Sequence, residues 1–281
     1  MPTPDLEPLR LLINNAPVDD FHGLSPTEMH RLLYTPFSDD SPVKVRTEIS
    51  AEALETVPFC RLTKQFLEIV QREGSIKLTP LGALPRKVLV ELYEFRIILD
   101  QFIERGITKL TRERDAVAIQ TMRLNAGLAG LVRTSRGKLL LSKEGKRILA
   151  EKAHRDLFLL VFRSFVERFN WSYNDLYTEH PIGQLAWSFS LYLLLLHGDK
   201  PQSLQFYADN YARAFPALVE ISEGPSALRF ENWFAHCYAI RTFGRFLEWF
   251  GFVEVEHERR TNDLDRRVVR TQAMTDVFEF E

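Results

Sequence analysis

The sequence predicts a mainly α protein with short β-hairpins, an α+β class. Apolar residues recur at three- and four-residue spacing over most of the chain, alternating runs are only four or five residues long, and glycine-bearing turns join such runs in pairs. The 281 residues are 45% hydrophobic and 12% aromatic, which excludes disorder as the main state. At roughly 100–200 residues per domain the length corresponds to about two domains, with one large or three small also open.

Charge nearly cancels, 36 Lys and Arg against 38 Asp and Glu, so a uniformly basic nucleic-acid coat is excluded while a local basic patch is not. Cys60 and Cys237 are too few for a disulfide framework and agree with a reducing compartment, so a cytoplasmic location is expected. Pro2, Pro4, Asp5 and Glu7 stand in place of a basic region followed by an apolar stretch, so no secretory signal is expected. The longest apolar run, Leu185 to Leu196, has twelve residues against the ~20 a bilayer helix needs, so it reads as a buried helix and no membrane partner is expected.

Charge is unevenly placed. Residues 1–56 carry net −6, 57–104 +1, 105–155 +9, 156–240 −4, 241–270 +1 and the last eleven −3. Four segments follow: 1–56, an N-terminal arm with a short helix; 57–155, two strand-cap-helix units; 156–240, a helical bundle; and 241–281, a C-terminal helix plus β-hairpin.

Turn formers crowd the arm, and within it Ser25, Pro26 and Glu28 form a capping box that starts a helix ending near Pro36. Phe66, Leu67, Ile69 and Val70 make a helical stripe stopped by Gly74. Ser75 to Leu78 alternate as a strand, and Thr79-Pro80 starts a helix, interrupted or restarted at Pro85, that passes Leu92. A further amphipathic run reaches about Ile103. Asp115 to Ala129 form a helix; residues 130–141 form a hairpin turning at Ser135-Arg136-Gly137, and Ser142 caps the next helix. Leu78-Thr79-Pro80-Leu81-Gly82 and Leu141-Ser142-Lys143-Glu144-Gly145 thus share strand, hydroxyl cap, two residues and glycine. A weaker third copy has a helix from Phe243 to Phe250, a strand over 252–256, a polar loop with Arg259, Arg260, Arg266 and Arg267, a strand over 268–270, and a cap at Thr271 or Thr275. Leu157 to Phe169, Leu185 to Leu196, Leu204 to Phe215 and Phe230 to Ile240 supply a helical middle.

The stretch from Ala126 to Leu149 resembles the end of the recognition helix, the two-stranded wing and the start of the last helix of winged-helix domains. The resemblance implies tandem winged-helix-like units, two or three copies, around a helical middle region. Residues 23–37 and 76–87 are also similar to segments of uncharacterised bacterial and plasmid-encoded proteins, which implies no activity.

A winged-helix unit binds duplex DNA by placing a helix in the major groove and its hairpin against phosphates, which Lys and Arg contact. The candidate nucleic-acid contacts are Arg112, Arg114, Arg123, Arg133, Arg136 and Lys138. Acidic residues around the third hairpin largely cancel its arginines. The first reading is a non-enzymatic DNA-binding or regulatory protein. The alternative is a protein-interaction scaffold without nucleic-acid binding, supported by the near-zero net charge, the acidic arm and the many aromatic residues. A remote third is a helical ligand sensor or enzyme with its pocket in 157–250, near Tyr192, Tyr207, Tyr211 or Trp233.

No catalytic residue, metal ligand or cofactor is assigned. The seven histidines form no i, i+4 pair, and no Gly-rich phosphate loop or Gly-x-Ser-x-Gly elbow occurs. Cys60 reads as a buried structural thiol and the stripe Trp233, Phe234, Tyr238, Phe246, Trp249 and Phe250 as core. Operator, partner, ligand and oligomeric state are not encoded legibly.

Overall fold

The computed structural model describes residues 6–175, 177, 180–222, 232–256 and 262–280. The chain is mainly α with short β-strands. It divides into two compact units: a first of Met1–Thr47, Tyr177–Phe246 and Val253–Glu281, and a second of Glu48–Leu176 and Leu247–Phe252. These cut across the four segments drawn from composition: the helix expected to open the 156–240 bundle falls in the second unit, and the arm shares a unit with both later segments.

The arm opens with α1 (Glu7–Asn14) and α2 (Pro26–Tyr34). The capping box forms as the residue types require: Ser25 Oγ accepts the Glu28 N–H at 3.3 Å, and Glu28 Oε2 accepts the Ser25 N–H at 2.7 Å. Then comes β1 (Val43–Val45), too short at three residues to be expected from alternation.

In the second unit α3 (Ala51–Glu55) precedes α4 (Pro58–Glu73), which buries Phe59, Phe66, Leu67 and Val70 and stops at Gly74, φ 66°. After β2 (Ile76–Lys77) the helix expected at Thr79-Pro80 is absent. Thr79 Oγ1 instead accepts the Ala83 N–H at 3.1 Å, Gly82 turns at φ 73°, and α5 (Arg86–Glu94) starts only after Pro85. Next are α6 (Gln101–Glu104), capped by Asp100, a 3-10 turn over Glu113–Asp115, and α7 (Val117–Leu128). The hairpin β3 (Val132–Ser135) and β4 (Lys138–Leu141) leads through the Ser142 cap into α8 (Lys143–Glu151) and then α9 (His154–Glu167). Phe59, Phe162, Phe165 and Phe250 pack edge-on or tilted, with ring centroids 5.2–5.5 Å apart, and fill the core of this unit.

The first unit resumes with α10 (Trp187–His197), buried on nearly every side, then β5 (Gln202–Ser203), α11 (Leu204–Ala214) and α12 (Pro216–Ser222). The expected helix start at Phe230 lies outside the described residues; α13 begins at Trp233 (Trp233–Tyr238) and continues as a π-helix over Ala239–Leu247, ahead of the expected Phe243 start. β6 (Val253–Val255), β7 (Arg267–Arg270), α14 (Gln272–Val277) and β8 (Phe278–Phe280) finish the chain. Thr271, not Thr275, caps α14 by accepting the Met274 N–H. Among the described residues no helix is long and apolar enough to cross a membrane.

Among the described residues, three small antiparallel sheets have the orders β1-β8, β2-β4-β3 and β5-β7-β6. The first closes the first unit on itself, with Val43 opposite Phe280 and Arg46 paired with Glu279 at 2.9 Å. The other two share one topology. A helix and a two-residue strand come first, more helix follows, and then a hairpin whose second strand takes the central place. In each case a Ser or Thr caps a helix straight after that strand. The repeat legible as two copies within 57–155 is therefore one sheet: Ile76 pairs with Leu139, joining the first strand to the second hairpin strand.

Candidate docking groove and cationic hairpin

The β3–β4 turn has two central residues, Arg136 at φ 50° and Gly137 at φ 69°. Positive φ at both positions makes the type I′ geometry whose twist matches a two-residue hairpin. Val132, Leu139 and Leu141 are buried, whereas Arg133, Arg136 and Lys138 stand exposed. Among the described residues no carboxylate forms an ion pair with these three cations.

Arg123 behaves otherwise. It sits in the middle of α7 and pairs through Nε with Glu113 Oε1, while Glu113 Oε2 accepts the Leu84 N–H at 3.1 Å. The side chains are 15% and 2% exposed, so this charge is neutralised inside the unit and not offered to a phosphate. As a nucleic-acid contact Arg123 is corrected: it holds α7 against the 3-10 turn and the α5 approach. Arg147, part of the same basic stretch, is likewise taken by Glu144, Glu151 and Asp156, each at 2.7 Å. Arg112 and Arg114 are exposed on and before the 3-10 turn. Burial opposes the charge on nearby Asp115, but hydrogen bonds from Arg112 and Thr111, with the Arg114 charge, outweigh it and hold the carboxyl below its ordinary range.

The outward side of α7 carries the half-buried Gln120 and the paired Arg123 in its first half. Toward its C-terminal end it presents Leu124, Gly127 and Leu128, the last 42% exposed. Together with Val132, Thr134 and Leu139 of the hairpin, and with Phe169 and Tyr173 beyond α9, these residues line an open groove of about 590 Å³. Phe169 and Tyr173 meet edge to face at 6.3 Å. The segment carrying them is fixed by Trp171 Nε1, which donates to the Phe165 carbonyl at 2.9 Å, and by the Asn170 side chain, which accepts the Ser172 N–H at 3.0 Å. Arg168, an exposed residue, donates to the Leu128 carbonyl at 3.1 Å. The result is an apolar floor edged by cations.

Of the six sequence candidates, Arg123 and Arg133 both line the groove, and Arg136 and Lys138 follow Arg133 around the hairpin turn. Arg112 and Arg114 lie before the other end of α7. Sequence reasoning missed Leu124, Leu128, Arg168, Phe169 and Tyr173. The one available signal was the near absence of charge from Val117 to Leu128, where Arg123 is the single ionisable residue.

The third hairpin offers less. Arg259 and Arg260 lie outside the described residues; Arg266 Nε donates to the Glu256 carbonyl at 2.8 Å and Arg267 to that of Pro201 at 3.2 Å. The tyrosines weighed as a ligand pocket are packing residues. Tyr207 and Tyr211 are fully buried, Tyr211 stacks on Tyr238 at 4.4 Å, and Tyr192 donates to the His22 carbonyl at 3.0 Å. Cys60 is buried in the second unit, and burial drives its thiol far above its ordinary pKa, which suppresses nucleophilic thiolate. In the first unit His197 Nε2 lies 3.1 Å from His22 Nδ1, and His22 Nε2 lies 2.7 Å from Asn210 Oδ1. Burial, and secondarily the neighbouring His22, lowers the His197 pKa.

Comparison with protein families matches residues 55–155 to the Y4jL N-terminal domain. That stretch holds α4 to α8, and so α7 and the hairpin, but not Phe169 and Tyr173. Comparisons with curated proteins and with solved structures returned no match.

Proposed function

We propose that the chain is a non-enzymatic protein-contact module in which a winged-helix-like unit, residues 58–151, holds a partner polypeptide in the groove between α7, the β3–β4 hairpin and the segment at Phe169–Tyr173. The order helix, strand, helices, hairpin, helix, with the second hairpin strand central, supports the winged-helix-like description. The carrying observation is the C-terminal half of α7: Leu124, Gly127 and Leu128 give the groove an apolar wall, and the one cation of the helix is bound to Glu113. An apolar floor with a polar rim is the composition of a protein contact site. A cytoplasmic setting fits a chain with only two cysteines, both buried.

The second reading, duplex DNA held by the wing, is favoured by Arg133, Arg136 and Lys138, exposed and without ion pairs among the described residues. Phosphate contacts by those residues need no contribution from α7. One experiment separates the two. A labelled duplex is titrated against the chain at ~50 and ~200 mM salt, and nuclease-treated native lysate is passed over immobilised wild-type and Leu128→Glu protein. Docking predicts negligible duplex affinity and a retained polypeptide that Leu128→Glu releases. Tight duplex binding, lost with salt and indifferent to Leu128→Glu, would overturn it.

A further inference from the structure

Strand order leaves β3 at the edge of its sheet, and the groove opens along it. The ladder fixes which of its backbone groups are free. Ser142 N–H donates to the Leu131 carbonyl at 3.0 Å, which makes that pair a hydrogen-bonded one. Antiparallel pairs alternate, so Arg133–Leu140 and Ser135–Lys138 are bonded while Val132–Leu141 and Thr134–Leu139 are not. Leu139 gives the check: its backbone faces β2, where it pairs with Ile76. The N–H and C=O of Val132 and Thr134 therefore point away from β4, along the side where, among the described residues, the sheet has no further strand. Both residues line the groove, and Thr134 is exposed.

We infer that the groove's occupant is an extended, acidic segment of a partner protein that adds to β3 as a fourth strand. The inference rests on the docking function proposed above and specifies its partner. A strand beside Val132 and Thr134 gains main-chain hydrogen bonds, and every second side chain turns toward Leu128, Phe169 and Tyr173. The remaining side chains fall on the face of Arg133, the exposed cation that lines the groove, with Arg136 at the adjoining turn, which makes Glu or Asp the complementary choice. Length agrees: β3 offers four residues to pair, about 13 Å of extended chain. Duplex DNA could use the cations but has no row of alternating N–H and C=O groups at strand spacing to pair with the edge.

The test uses full-length protein and a fluorescent seven-residue peptide alternating Glu with Leu, followed by anisotropy. Thr134→Pro is the decisive variant. It removes an N–H that faces away from β4, so the hairpin ladder survives, as proline on an edge strand allows. Losing that bond and its neighbour is expected to weaken binding roughly tenfold. Thr134→Val should bind as wild type does. Peptide N-methylated at alternate residues should lose a similar factor, and replacing Glu by Lys in the peptide should abolish binding. No binding of the parent peptide by wild type overturns the inference, as does equal binding of the N-methylated peptide or by Thr134→Pro. If Leu128→Glu abolishes binding while Thr134→Pro does not, strand addition falls and groove docking stands. If neither matters and duplex displaces the peptide, both fall.

Discussion

Arg123→Met tests the reassignment of the cation at the centre of α7. In the native unit the Glu113 carboxylate is 2% exposed and has two identified donors, Arg123 and the Leu84 N–H. Removing the guanidinium leaves a buried carboxylate with one neutral donor. Breaking one side of such a pair costs about 3–5 kcal/mol, a large part of the stability of a typical domain. Removing both charges, with Glu113→Gln and Arg123→Met together, deletes the desolvation cost as well and should recover most of the loss. Urea unfolding followed by tryptophan fluorescence, with Trp171 and Trp249 reporting the second unit, measures the change; hydrogen exchange along α7 and at Leu84 localises it. A loss below ~1 kcal/mol, or an equal loss with Glu113 already neutral, would show that Arg123 is not committed to Glu113 and would return it to the pool of ligand-binding cations.

A Cβ on Gly145 would lie 2.2 Å from the Leu131 carbonyl oxygen, a backbone atom that also accepts the Ser142 N–H. Gly145→Ala must therefore displace the start of α8 from the hairpin and should cost at least ~2 kcal/mol in urea unfolding, whereas Gly127→Ala, with open space around it, should be neutral or stabilising. Because the folded His197 pKa lies below its unfolded value of ~6.5, the unfolded state takes up the proton first as pH falls. First-unit stability should thus be full above about pH 6.5 and decline below it. Comparing unfolding midpoints at pH 7.5 and 5.5 for wild type and His197→Gln checks this; the variant should show the smaller drop.

Local chemistry made much of the chain legible. The Ser25–Glu28 capping box, the Gly74 stop, the Ser142 cap and the Ser135–Lys138 turn each form where residue types alone place them, because a cap or a type I′ turn is satisfied within four residues. The mainly helical class followed from apolar spacing for the same reason. Thr79-Pro80 failed because its hydroxyl found the Ala83 N–H in a turn before any helix could propagate.

What the tertiary structure decided is pairing between residues far apart in sequence. A two-residue strand such as Ile76–Lys77 or Gln202–Ser203 has no period to detect; it exists because β4 or β7 lies beside it. The duplicated topology, hidden behind an apparent repeat at shorter spacing, emerges only with those pairings. Net charge over 105–155 could likewise be counted but not assigned, since the availability of a cation depends on which carboxylate folds against it. Glu113 claims Arg123, three acids claim Arg147, and the hairpin keeps its three. The groove itself joins α7, β3 and a segment some forty residues later, and that apposition is a product of core packing alone.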